Sequence, residues 1–320
     1  MPPSHSFTSF MQKYGLYLVF CLLCVIFTIL CWDKGFFTFK NFSNIFRQIT
    51  MNAIIAAGMT FVLITASIDL SVASIVAFSG VIYALLIKFS GFSMIPAMII
   101  ALLSGTAIGT LNGFLIAKFR ITFVIVTLAT MTVFRGVSYI LTGGLPIIGF
   151  PELAFLGRGY IGPFPFPVLV MLVVYLACYL ILTQTRMGRY IYAIGSNEEA
   201  TRLAGINIDL YKIIVFSLSG FLCALTGLIY VSRLDSAQPS VAFGKELDAV
   251  AAVVIGGTSL SGGEGSIWGT FIGTLIIGVV GNGLTLLNVG SYWQQVATGL
   301  VVFGAVFLNR GSLRFYQPGK

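Results

Sequence analysis

Ten stretches of this chain are apolar enough and long enough, or nearly so, to cross a bilayer as helices: about 15–32, 45–66, 70–89, 94–117, 121–141, 166–183, 212–232, 247–263, 266–287 and 291–309. Crossing the hydrocarbon core takes about 20 apolar residues in a helix. The eighth stretch is short and glycine-rich, with six glycines in the 23 residues from Leu247 to Gly269. It is expected to enter partway or to be broken, because glycine admits backbone states that other residues resist. None of the ten prolines falls in the middle of a span: Pro96 stands at a helix start, Pro146 to Pro167 fill one loop and Pro239 another. Those are the places where proline is tolerated.

Between the sixth and seventh stretches lies a polar island, Arg186 to Ile206, reading RMGRYIYAIGSNEEATRLAGI. Ser196 and Glu199 have the spacing of a capping box, and a short helix is expected from about Asn197 to Ala204. Gly205 is placed to take the left-handed turn that ends it. Glu198 and Arg202 stand four apart with the acid first, the favourable order for an ion pair. Ala200, Leu203 and Ala204 give the helix a small apolar face. A helix this short is marginal alone, so its neighbours must hold it.

Composition agrees with the pattern. The 320 residues are 58% hydrophobic and 9% charged, with a mean hydropathy of +0.99. A soluble domain carries about a quarter charged residues. The fold class expected is all-α: a polytopic membrane helix bundle forming one domain over 1–320, with a polar loop at 184–211. The net charge is +8, but the basic residues are scattered between apolar runs and make no face for nucleic acid. They serve better as loop charges that set orientation. With both termini cytoplasmic, ten lie inside and seven outside, and the clusters Lys118/Arg120, Arg186/Arg189 and Arg310/Arg314 all fall inside. The polar island is then the longest cytoplasmic loop. No cleavable signal is read at the N-terminus, where the first apolar run starts near Tyr14 with only Lys13 before it.

An internal repeat relates the fourth and ninth stretches. GTAIGTLNGFLI, from Gly105, and GSIWGTFIGTLI, from Gly265, both carry glycines at spacing four: Gly105, Gly109 and Gly113, and Gly265, Gly269 and Gly273. Thr110 matches Thr270. Such glycines let helices approach closely in any tight bundle. Stretches five apart also run in opposite directions, so the repeat equally fits two inverted five-helix halves.

Candidate chemistry is sparse. There is no phosphate loop, HExxH or GxSxG, so neither ATP hydrolysis nor another enzymatic activity is expected. Cys21, Cys24, Cys31, Cys178 and Cys223 lie in or beside apolar runs, and His5 is the sole histidine; they read as small hydrophobes, with no metal and no cofactor expected. Few acidic residues approach membrane depth, which disfavours proton coupling. Asp69, in SIDLSVAS, is placed to cap a helix beginning at Leu70 or to act in a cytoplasmic gate. Arg135, alone among basic residues in lying well inside a span, either snorkels to the outer surface or faces a watery cavity or a carboxylate. Asn52, Asn112 and Asn282 either bridge helices or line a path for a neutral polar solute.

Taken together, RMGRYIYAIGSNEEATRLAGI, IDLSVAS and ELDAVAAVVIGGTSLSGGEGSIWGTFIG resemble the membrane-spanning permease subunits of bacterial ABC importers for monosaccharides. RLDSAQPSVAFGKELDAVAAVVIGGTSLSGG and NGLTLLNVGSYWQQ are more similar to the ribose branch than to the galactose or arabinose branches. The similarity runs from about Phe36 to Val306. It implies a bacterial inner-membrane protein that works as a pair of permease copies, an ATPase with two fused nucleotide-binding modules and a periplasmic sugar-binding protein. It also implies that the island holds the helix seated in the ATPase, at Gly195, Ser196, Asn197, Glu198, Glu199, Ala200, Arg202, Leu203, Gly205 and Ile206. The chain departs from the family where glycine is usual, at Ala66 or Ser67 and at Ala73, and those changes are expected to stiffen the turn before the third span. The function expected is ATP-driven sugar transport by alternating access; a stand-alone carrier or channel for a small polar solute is the competing class.

Overall fold

In hydrocarbon every backbone N–H and C=O must find a partner within the chain, and an apolar run meets that demand as a helix. The computed structural model describes residues 5–300 and 303, with side chains described from Tyr14 onward. Its helices are α1 (His5–Leu30), α2 (Phe39–Ile64), α3 (Val72–Lys88), α4 (Met94–Lys118), α5 (Phe123–Thr142), α6 (Ala154–Arg158), α7 (Phe166–Gln184), α8 (Arg186–Ser196), α9 (Glu198–Leu203), α10 (Ile208–Leu234), α11 (Lys245–Ile255) and α12 (Ile267–Leu286). Residues 291–300 are also helical. The rest of the expected tenth span lies outside the described residues, apart from Phe303. Two-residue strands make two antiparallel pairs, β1 (Ile147–Ile148) with β4 (Ser236–Ala237) and β2 (Tyr160–Ile161) with β3 (Phe164–Pro165).

Six helices, α2, α4, α5, α7, α10 and α12, are long and apolar enough to cross a membrane, and Tyr14–Leu30 and α3 are shorter apolar helices. This is an all-α, multi-pass membrane protein. Helix α2 is the axis. Every residue from Ala53 to Thr65 is buried, because α2 packs against α7, α10, α11 and α12. The outer helices turn apolar side chains outward instead: Ile99 and Leu103 of α4, Ile125 and Ile140 of α5, Val173 and Leu176 of α7. Lipid tails solvate those residues as well as a core would.

Since hydrocarbon offers no hydrophobic drive between helices, contact must come from close packing and hydrogen bonds. Helix α4 lies antiparallel against α10 with all three of its glycines in the seam. A Cβ at Gly105 would lie 2.7 Å from the Ala224 Cβ, one at Gly113 would lie 2.7 Å from the Ile213 Cα, and one at Gly109 would overlap the Phe216 carbonyl oxygen. Helix α12 lies antiparallel against α2. The repeat shows here in its hydroxyls: Thr110 of α4 bonds Ser217 of α10 at 2.7 Å, and Thr270 of α12 bonds Thr60 of α2 at 2.8 Å. Exchanging the two halves carries the fourth and seventh spans onto the ninth and second, so the matched threonines make matched bonds. The second glycine triplet does different work. Gly269 and Gly273 meet the Gly256 and Ala252 carbonyls, and Gly265 meets Thr258, so they close α12 onto the eighth span of its own half.

That eighth span is broken, as its glycines suggest, but the helical part is the stretch before them. Helix α11 has 11 residues, or about 16 Å of rise, against a hydrocarbon core of about 30 Å. The glycine-rich remainder, 256–266, is irregular and turns back beside the start of α12.

The α4–α10 seam generates a stability test. Gly109→Ala should cost about 1–3 kcal/mol through overpacking against Phe216. Gly136→Ala, on α5 with nothing within 4 Å, should be neutral or slightly stabilising. Thermal unfolding of both variants in detergent gives the comparison; equal midpoints would refute the packing account.

Candidate functional site

Four connections converge on one face of the bundle: 65–71, 119–122, 185–207 and 256–266. At their centre three backbones touch. The Gly263 N–H donates to the Ile64 carbonyl at 2.9 Å, and a Cβ on Gly195 would overlap both the Ile64 oxygen and the Gly263 nitrogen. Glycine at 195 is what allows the island to press against the end of α2.

The island is two helices where one was expected. Helix α8 is capped by the Thr185 hydroxyl, which accepts from the Gly188 N–H at 3.3 Å. It buries Ile191 and Ile194, and its Tyr192 hydroxyl donates to the Gly265 carbonyl at 2.8 Å. Ser196 is the last residue of α8, so it does not cap the next helix and no capping box forms. Asn197 is the cap: its side-chain oxygen accepts the Ala200 N–H at 2.9 Å. Gly263 packs against Ser196, which closes α8, and α9 starts at Glu198, one residue later than expected.

The other expectations for α9 can be placed directly. Glu198 pairs with Arg202 at 3.1 Å and also with Lys212 of α10 at 2.6 Å, so one carboxylate ties α9 to the next span. Gly205 has φ +81° and stops the helix. Thr201, which the sequence did not single out, faces inward and is buried, while Leu203 is 84% exposed. Ala200, Ala204 and Glu199 are exposed and Ile206 is half-buried. The small apolar face therefore points away from the chain.

Next to this surface a buried polar network joins the turn before α3 to α4, α5 and α10. Asp69 accepts the Ser71 N–H at 3.0 Å, the Ser71 hydroxyl and, at 3.3 Å, the Ser219 hydroxyl of α10. Ser71 in turn accepts from the Asn112 amide of α4 at 2.9 Å, and the Asn112 oxygen accepts from Thr130 of α5 at 2.6 Å. Asp69 is fully buried. Burial lifts its carboxyl above the usual range, and the Ser71 and Ser219 bonds pull the other way. It does not cap a helix at Leu70. Helix α3 starts at Val72 after Ser71, and Asp69 fixes the turn before it. Ser71, Thr130 and Ser219 carried no signal in the sequence, because a lone hydroxyl in an apolar run looks the same whether or not it has a partner.

Asn112 and Asp69 are thus brought together, and the other candidates lie elsewhere. Asn282 exchanges two amide bonds with Asn41, at 2.9 and 3.1 Å, joining α12 to α2. Arg135 neither snorkels nor meets a carboxylate within bonding distance. Its guanidinium donates to the Pro239 and Val241 carbonyls at 2.7 and 2.9 Å. Those carbonyls belong to the irregular chain leading into α11, where no helix supplies them with partners, so the cation is the solution to a backbone problem. Asn52 lines a cavity of about 750 Å³ between α2, α11, α12 and the 291–300 stretch.

The glycine departures differ from one another. Ala66 has φ +55°, a left-handed conformation in which a Cβ is strained, whereas Ala73 is buried inside α3.

Comparison with known proteins agrees with this geometry. The family described as "Branched-chain amino acid transport system / permease component" matches residues 41–309. The chain belongs to this family. The permease is 48% identical over 284 residues to the ribose import permease protein RbsC of Haemophilus influenzae, covering 87% of each chain. It is 45% identical over 304 residues to the protein of the same name in Escherichia coli, covering 93% of the permease and 94% of its relative. The L-arabinose transport system permease protein AraH of Escherichia coli is 40% identical over 322 residues, covering 96% and 93%. These relatives are transport permeases, not enzymes. No solved structure matches the chain.

Two substitutions test the network and the turn. Asp69→Ala strands three buried donors and should lower stability by about 3 kcal/mol, while Asp69→Asn keeps an acceptor and should cost less; denaturation in detergent ranks them. Ala66→Gly should stabilise by about 0.5–1 kcal/mol, since relief of left-handed strain exceeds the added chain entropy. A fall in melting temperature would contradict the strain.

Proposed function

We propose that the permease is the membrane-spanning subunit of an ATP-driven importer of a monosaccharide, with ribose as the sugar. The observation that carries this reading is the 48% identity with a ribose import permease over 87% of both chains, higher than the 40% shared with the arabinose permease. Both termini lie on the cytoplasmic side of a bacterial inner membrane, which puts α8 and α9 in the cytoplasm. An ATPase with nucleotide-binding modules docks there, a periplasmic sugar-binding protein delivers sugar to the opposite face, and a second copy of the permease completes the path.

In this reading the groups of the island divide by role. Gly195, Ser196 and Ile206 seat it against the permease. Asn197 and Gly205 start and stop α9. Glu198, Glu199, Ala200, Arg202 and Leu203 face the ATPase. Closure of the ATPase pushes α9, and the push reaches α2 and α10 through the three-backbone contact at Gly195 and the Glu198–Lys212 pair. The bundle then exchanges outward- and inward-open states. Asp69 and its hydroxyl partners hold the start of α3 against α4, α5 and α10 in one arrangement at a time.

Leu203→Asp tests this assignment, because Leu203 is 84% exposed and contributes little to the fold. An interface leucine contributes about 1–3 kcal/mol, so ATPase co-purification and ATP-driven uptake of labelled ribose into proteoliposomes should fall about tenfold or more. Melting of the isolated permease should not change. Unchanged uptake would remove α9 from the coupling surface, and uptake driven by a sugar gradient without ATP would replace the importer with a stand-alone carrier.

A further inference from the structure

A groove of about 370 Å³ opens on the same face as α9. Its lining comes from the island, from the turn after α2 and from the 119–122 connection between α4 and α5. Five charged groups stand in that lining: Arg120, Glu198, Arg202, Asp209 and Lys212. Glu198 is held by Arg202 at 3.1 Å and by Lys212 at 2.6 Å, and Asp209 is held by Lys118 at 3.1 Å. Both carboxylates are therefore taken. Arg120 is exposed and has no hydrogen bond or ion pair with any described residue, so it is the cation left to bind.

The chain holds Arg120 there against its backbone preference. Its φ is +55°, a left-handed conformation that disfavours a residue with a Cβ. Strained residues of this kind cluster at clamps and switch regions. The N-terminus of α5 opens beside it: Thr122 and Phe123 line the groove, and no side chain caps the helix. The helix dipole adds to the positive potential of the guanidinium.

The neighbouring surface identifies the occupant. Glu198 and Arg202 belong both to this groove and to the part of α9 that meets the ATPase in the reading above. A protein that covers α9 also closes over the groove, and a positive groove within its footprint calls for a negative group opposite. Arginine suits that task, because its planar fork binds a carboxylate through two parallel hydrogen bonds.

We infer that the groove receives a carboxylate of the ATPase, an aspartate or glutamate side chain that pairs with Arg120. The α4–α5 turn is then a second seat for the ATPase beside α9. The inference rests on the importer reading. It adds the chemistry of the partner at this point and a residue outside the island that meets it.

The test titrates the ATPase onto the full permease in nanodiscs of neutral phosphatidylcholine, at low and at high salt. Arg120→Asn removes the charge and keeps a residue that accepts the left-handed backbone, so melting of the permease alone should not fall. ATPase affinity should drop about three- to tenfold in Arg120→Asn and further in Arg120→Glu, and both deficits should shrink as salt rises. If Arg120→Glu assembles poorly, Arg120→Asn decides. Wild-type affinity in the Arg120 variants overturns the inference, and so does a deficit that salt leaves unchanged, because the lost contact is then not an ion pair. The titration is repeated in nanodiscs containing anionic phosphatidylglycerol. A deficit confined to those discs assigns the groove to lipid headgroups and also overturns the inference. Leu203→Asp separates this inference from the reading beneath it. If Leu203→Asp weakens binding and the Arg120 variants do not, α9 keeps its role and the second seat is lost; if none of them weakens it, the docking reading falls as well.

Discussion

Much of this structure depends on one junction, where the Gly263 N–H meets the Ile64 carbonyl and Gly195 closes over both. The last carbonyls of a helix have no partner within it, and α2 is too deeply buried for water to serve them all. The Ile64 carbonyl is satisfied by a loop from the other half of the chain, at a point where a third segment can approach only without a side chain. The contact fixes where α2 ends, where the 256–266 loop turns and where α8 ends. It also means that a force applied to α8 and α9 acts on backbone, with no flexible side chain between.

The same demand explains the polar groups inside the bundle. Arg135 serves carbonyls of the irregular chain before α11, Asn41 and Asn282 serve each other, and the Asp69 network satisfies its hydroxyls and amides pairwise. Each of these groups joins two or more elements, so each also records how the elements are arranged. Asn52, at the centre of α2, has a buried oxygen without a hydrogen-bond partner among the described residues, as do Ser79, Tyr83, Ser236 and Thr258 with their hydroxyls. Asn52 lines the cavity of about 750 Å³ beside α11.

Symmetry and asymmetry have separate causes. The two halves repeat the hydroxyl bonds of Thr110 and Thr270 because both join a fourth-position helix to a second-position helix across the halves. The glycine triplets diverge because α11 is half a helix and α3 is a whole one. Helix α12 must close over irregular backbone, which requires glycine, whereas α4 can use its glycines to approach α10.

By itself the sequence determined the membrane class, the number and place of the apolar runs, the break in the eighth and the position of the polar island. These follow from local quantities: apolar length, glycine content, charge spacing. It also determined that Glu198 and Arg202 would pair and that Gly205 would end the helix, since both act within one turn. Only the tertiary structure decided that Asn197 and not Ser196 caps α9, that Asp69 binds Ser219 from 150 residues away, and that Arg135 binds carbonyls. For Asp69 and Arg135 the partner comes from a distant segment brought near by packing, and at Ser196 a distant segment, Gly263, packs against the residue. A polar residue in hydrocarbon must bond to whatever the fold puts beside it, and the sequence shows the need without naming the partner.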